Sequence, residues 1–114
     1  MVKYCKLFLK SAKKHLKDPR INKKFLEFVK AKTINPKAKF GSSDSPANSK
    51  APLGKAVPGI MHAHLTRDLS AWYIIQDNDV CIYGIFRHAD TGTGTPSRTN
   101  IQQQAATRFK NQQF

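Results

Sequence analysis

The sequence predicts an α+β fold, in which an N-terminal helical hairpin packs on a small antiparallel β-sheet and a C-terminal helix follows. Three observations carry that expectation. Apolar residues recur at steps of three and four through residues 5–32, the period of an amphipathic helix. Three runs rich in β-branched and aromatic residues follow between Ile60 and Phe86, separated by short polar breaks. Helical spacing then returns from Arg98 to Phe109. At 114 residues the chain has room for a single domain, because two would each lack a sufficient core.

In the first helix, residues 5–17, Cys5, Leu9, Ala12 and Leu16 form one stripe with Phe8 beside it. Lys6, Lys10, Lys13 and Lys17 repeat at similar spacing on a neighbouring face. Asp18-Pro19 joins a capping residue to a proline suited to the first helical position, so a second helix starts there. Ile21, Phe25, Leu26, Phe28 and Val29 carry it to about Lys32, and the short connection favours antiparallel packing. Met1 to Tyr4 is long enough for a short strand, which the sequence does not decide.

From Thr33 to Pro58 the chain turns to Pro, Gly, Ser, Asn and Lys without helical or alternating period, which predicts a long basic loop. Beyond it, IMHAHLT, AWYIIQ and VCIYGIF read as three strands joined at Arg67-Asp68-Leu69-Ser70 and Asp77-Asn78-Asp79, an antiparallel meander. The last two strands are apolar on both faces, so the helices cover one face and something partly shields the other. The loop ADTGTGTPS leads to the last helix, capped by Ser97 or Thr99.

Charge narrows the partners. The chain carries twenty Lys or Arg against seven Asp or Glu, a formal net charge of +13. Residues 1–55 hold fifteen of those basic residues and three of the acidic ones; fourteen of the fifteen lysines lie there, while four of the five arginines follow. Mobile lysines suit loose attraction to a polyanion, and the arginine fork suits fixed phosphate contacts. Nucleic acid is the first candidate partner and an anionic membrane surface the second, against a lysine coat that only keeps the protein in solution. The longest apolar run, Val80 to Phe86, is a strand's length and far below the ~20 residues that span a bilayer. MVKYCKLFLK offers no uninterrupted export segment, and Cys5 and Cys81 are too few for a disulfide scaffold. The expectation is a cytoplasmic protein with reduced thiols and no membrane partner.

His62 and His64, two apart on a strand, point to one face. In a meander the end of the third strand returns beside the end of the first, which brings Arg87 and His88 toward His64 and Arg67. Histidines that exchange protons and cations that steady a phosphorane suit metal-independent RNA cleavage, with the ribose 2′-hydroxyl attacking its own phosphate in line. Each histidine has an alternative as a structural strand residue. Three histidines would also hold zinc, but no carboxylate or cysteine is well placed beside them and no HExxH occurs, so neither a metal nor a cofactor is expected. His15 lies among helix lysines and is expected to be solvated. Gly92 and Gly94 serve a turn or the approach of a phosphate; no Walker motif follows them. Of Trp72 and Tyr73, on alternate faces of the middle strand, Trp72 is expected in the core and Tyr73 against a base.

KLFLKSAKKHLKDPRINKKFLEFVKA resembles the opening helical hairpin of the RelE/ParE toxin superfamily. HAHLTRDLSAWYIIQDNDVCIYGIFRHADTG resembles its terminal meander, notably in the YafQ and YafO branches, and TNIQQQAATRF is similar to the C-terminal helix of YafO-type toxins. The resemblance spans nearly the whole chain except the loop from Thr33 to Pro58. It implies a RelE-like fold and a bacterial type II toxin, an endoribonuclease that cuts mRNA on the ribosome and is neutralised by a cognate antitoxin protein. His64 and His88 match histidines of the YafQ-like pattern, and Arg87 falls near a phosphate-binding arginine. Arg67, Asp68 and Tyr73 lie in a segment contributing further site residues. Some relatives use lysines and a C-terminal tyrosine instead, and no tyrosine follows Tyr83 here.

The resulting expectation gives His64 and His88 the proton transfers, with His62 as support or alternative and Arg87 as the catalytic cation that stabilises the phosphate. Arg67, Lys55 and Tyr73 hold the substrate, and Lys6, Lys10, Lys13 and Lys17 hold ribosomal RNA. ParE-type members share the fold and act on DNA gyrase, so the alternative is a non-catalytic nucleic-acid- or gyrase-binding module.

Overall fold

The computed structural model describes residues 1–41, 43–47, 49–91 and 99–114. The chain is α+β, with a five-stranded sheet between helices. In order come β1 (Val2–Tyr4), α1 (Lys6–His15), α2 (Pro19–Ile34), β2 (Ser45–Pro46), α3 (Pro52–Ala56), β3 (Met61–His64), β4 (Leu69–Gln76), β5 (Asp79–Arg87), α4 (His88–Thr91) and α5 (Thr99–Lys110).

The strands lie in the order β1-β5-β4-β3-β2. β3, β4 and β5 form the expected meander, and Asp77 and Asn78 turn the second hairpin with positive φ at both positions, as a tight two-residue connection requires. The sheet is mixed rather than antiparallel, because β1 pairs parallel to β5 through Val2, Lys3 and Tyr4. Those three residues are too few to show an alternating pattern in sequence.

Side chains alternate along β4, so Trp72 and Tyr73 face opposite ways. Tyr73 meets Phe28 of α2 at 5.4 Å between ring centroids, which places α2 on its face. Phe86, on the Trp72 face through its pairing with Ser70, meets Phe109 of α5 at 5.5 Å. On that second face Phe109 of α5 packs beside β5, and α3 packs against α5.

α2 begins where Asp18 accepts a hydrogen bond from the Arg20 amide at 2.9 Å, and it buries Phe25, Phe28 and Lys32. In α1 the inward residues are Leu7, Phe8 and Ser11, so Leu9 is 58 % exposed, contrary to its place in the expected stripe. Phe8 fills that position, stacked between Tyr4 and Phe25. Leu26 is 57 % exposed for the same reason: Phe25 and Phe28 already take the inward face.

At the pairing of β4 with β5, Trp72 opposes Gly84 and Tyr73 opposes Ile82, which leaves Tyr83 as the extra residue of a bulge. A Cβ on Gly84 would lie 2.9 Å from Ser11 Oγ and closer still to the Phe86 ring. Only glycine leaves room for Ser11 Oγ to accept the Ile85 amide at 3.0 Å, the bond that pins α1 to the sheet.

The expected loop from Thr33 to Pro58 is partly ordered into elements. α2 continues to Ile34, β2 pairs with β3, and α3 forms behind Pro52 with Leu53 and Val57 buried as anchors. Gly92, Gly94 and the cap residue Ser97 lie outside the described residues. Cys5 and Cys81 are buried free thiols. Among the described residues no helix is long and apolar enough to cross a membrane.

Candidate functional site

β3 places His62 and His64 on one face and Ala63, fully buried, on the other. Directly across the ladder His62 meets Trp72, and His64 meets Ser70. β5 leaves the sheet beside them, with Arg87 opposite Leu69, and His88 opens α4. Three rings converge as a result. Their centroids lie 5.8 Å apart for His62 and His64, 5.2 Å for His62 and His88, and 5.5 Å for His64 and His88. One nitrogen from each lies within 4.8 Å of the other two, and all three residues are half-buried.

The indole of Trp72 forms the wall of the cluster, stacked on His62 at 5.0 Å and against His88 at 5.7 Å. Its Nε1 donates to the Phe86 carbonyl at 3.1 Å. Ser70 is 1 % exposed, and its Oγ has no hydrogen-bond partner among the described residues.

His62 Nδ1 lies 2.9 Å from the Ser45 carbonyl. A carbonyl only accepts, so Nδ1 carries the hydrogen and Nε2 keeps the free lone pair. Ser45 is fixed in turn by its neighbour Asp44, which is buried with Lys32 at 2.6 Å. Asp44 also accepts from the Phe40 amide at 2.9 Å and from the Tyr73 hydroxyl in a short hydrogen bond. Lys32 completes its shell at the Ala38 carbonyl, 2.6 Å away.

Burial lowers the pKa of His62, helped by His64 and opposed by the Ser45 carbonyl. Burial also lowers that of His88, with His62 and His64 adding to it. Closely packed imidazoles disfavour a shared positive charge.

The structure brings together the three predicted histidines and separates most of the predicted cations. Arg87 is turned away to Asp90, with bonds of 3.2 and 3.3 Å, because its strand position faces opposite to the histidines. It lines a groove of about 500 Å³ with Lys10, Lys14, His15, Phe86 and Arg108. His15 is half-buried there rather than solvated, and burial lowers its pKa. Arg67 is exposed in the β3–β4 turn, and Lys55 is exposed on α3. No hydrogen bond joins Arg67, Arg87 or Lys55 to the imidazoles among the described residues. Lys6, Lys10 and Lys13 are exposed along α1, with Lys17 just beyond it.

Tyr73 corrects the expectation for it. The ring is fully buried, its hydroxyl is held by Asp44, and burial raises its pKa, so it belongs to the core and is not offered to a base. Sequence reasoning also missed the anchoring of His62 through Ser45 and Asp44. The signal available was one acidic residue inside an otherwise basic loop.

Comparison of the chain with protein-family models, with curated proteins and with solved structures found no match.

Proposed function

We propose that this chain is an endoribonuclease that cleaves mRNA on the ribosome and so inhibits translation, the toxin of a toxin–antitoxin pair. The observation that carries the reading is the convergence of His62, His64 and His88 on one side of the sheet. Two consecutive N-terminal helices, a meander and a C-terminal helix support it, and α1 with α2 is read as the helical hairpin of RelE-like toxins.

The chemistry follows from the imidazoles. A neutral nitrogen takes the proton of the ribose 2′-hydroxyl as its oxygen bonds to the adjacent phosphorus. The bond to the 5′-oxygen breaks, and a protonated imidazole gives that oxygen its proton. The products are a 2′,3′-cyclic phosphate and a 5′-hydroxyl. His64 and His88 carry the transfers, and His62, held by Ser45, supports them. No metal enters this scheme. The exposed lysines of α1 dock on ribosomal RNA, and a cognate antitoxin neutralises the toxin.

The test is inducible expression with mapping of mRNA 5′ ends, with and without translation. His64→Ala and His88→Ala each abolish growth arrest and cleavage in a protein that still folds. Full toxicity in both variants would sink the assignment.

One observation favours a second reading, a non-catalytic nucleic-acid- or gyrase-binding module. The groove lined by Lys10, Lys14, His15 and Arg108, with Arg87 paired to Asp90 in its wall, is separate from the imidazoles and carries net positive charge suited to a polyanion. That reading predicts growth arrest without mRNA breakage, unchanged by the histidine substitutions.

A further inference from the structure

We infer that His62, His64 and His88 together bind one divalent transition-metal ion of the zinc class, with one coordination position left open. Among the described residues they form the one group of three or more His, Cys, Asp or Glu side chains able to share an ion.

Zinc–imidazole bonds of about 2.0–2.1 Å set the nitrogens of a tetrahedral site roughly 3.3 Å apart. From within 4.8 Å, small ring rotations close that distance. Two donors sit on β3, which is paired with β4, and the third is the first residue of α4, so the backbone is already in place. The hydrogen bond of His62 Nδ1 to a backbone carbonyl is the outer contact that aims Nε2 at an ion. Nothing in the set favours magnesium or calcium, which take oxygen ligands.

Three protein ligands leave a fourth position for water or a substrate oxygen. Ser70 Oγ, buried and unpartnered among the described residues, lies directly across the ladder from His64.

Binding of the ion does not depend on the proposed RNA cleavage, but its regulatory consequence rests on that reading. An imidazole whose lone pair is on a metal cannot accept a proton. The loaded centre is silent, and the ion-free centre cuts.

The experiment uses the full chain stripped with a chelator and dialysed, then titrated with ZnCl₂ by calorimetry and with CoCl₂ by visible absorption. One ion per chain is expected, with a zinc Kd tighter than about 1 μM and a tetrahedral cobalt spectrum. His62→Ala, His64→Ala and His88→Ala each weaken binding at least about tenfold. His64→Gln, which keeps a side chain of similar bulk, does the same in protein shown to be folded by circular dichroism. Absence of binding, or binding unchanged by all four substitutions, overturns the inference.

RNA cleavage measured on the same samples separates the two proposals. Loss of cleavage at one equivalent of zinc and its return with chelator support both. Cleavage that requires zinc keeps the metal site and removes the metal-free proton transfer. Cleavage by a chain that binds no zinc keeps the nuclease and removes the metal site.

Discussion

The imidazole of His62 stacks on the indole of Trp72 with centroids 5.0 Å apart and planes 22° apart, and the two residues are direct partners across β3 and β4. Trp72 also holds β5 through its bond to the Phe86 carbonyl. One fully buried side chain on β4 thus ties together β3 and β5, the two strands that deliver the histidines. Core and site share a wall, so damage to one reaches the other.

Trp72→Ala is expected to destabilise the fold by about 3–5 kcal/mol, the usual result of emptying a large aromatic site. Trp72→Phe keeps a ring against His62 but removes the donor to the Phe86 carbonyl, and loss of that part-buried hydrogen bond costs about 0.5–1.5 kcal/mol. Urea unfolding of the full chain measures both. Equal losses in the two variants would show that the hydrogen bond, not the stacked ring, is what matters.

The buried Lys32–Asp44 pair yields a second expectation. Asp44→Ala strands the ammonium of Lys32 beneath α2, at a cost of about 3–5 kcal/mol. The double variant Lys32→Met with Asp44→Ala recovers part of that loss, since no lone charge remains. Because Ser45 follows Asp44 and its carbonyl anchors His62, a folded Asp44→Asn protein is expected to bind zinc more weakly than the native chain. Unchanged affinity would show that this segment does not position the ring.

The meander was legible because its three runs are rich in β-branched and aromatic residues and the breaks between them are short and marked by Asp, Asn and Ser. From that topology the meeting of His64 with His88 followed. Arg87 was misplaced because it adjoins His88 in sequence while alternation turns it to the other side, toward Asp90. Leu9 and Leu26 misled because helical spacing allows two overlapping stripes, and only the partner ring decides which is buried. The Lys32–Asp44–Tyr73 network was invisible because its members are far apart in sequence and each has an ordinary surface reading.

Acid sensitivity at the β1 edge follows from Asp79. Its hydrogen bond to Lys3, then that to the amino group of Met1, hold the carboxyl below its ordinary value of 3.8. A carboxyl lowered in the folded state adds stability above 3.8, and that stability is lost as pH falls through the lowered value. Lys3, raised above 10.5 chiefly by the same bond, adds stability below 10.5 and loses it as pH climbs through the raised value. The difference in urea midpoint between the native chain and Asp79→Asn is therefore full near neutrality and shrinks at both extremes. A difference that persists undiminished in strong acid would assign the effect to something other than the ion pair.

The last expectation separates docking from chemistry. Lys6, Lys10 and Lys13 are exposed on α1 and make no ion pair among the described residues. Their replacement by Gln therefore changes stability by less than about 0.5 kcal/mol each. If they meet RNA phosphates, every contact removed lowers the slope of log K against log salt by about 0.7, for any RNA sequence. The triple variant should bind RNA more weakly at moderate salt and converge on the native chain at high salt. At saturating RNA its cleavage rate is unchanged, because the imidazoles lie on the sheet and not on α1. Arg87→Ala gives the contrast: its guanidinium is already committed to Asp90, so its removal changes the slope less than removal of a free lysine. An unaltered slope in the triple variant would move the RNA path off α1.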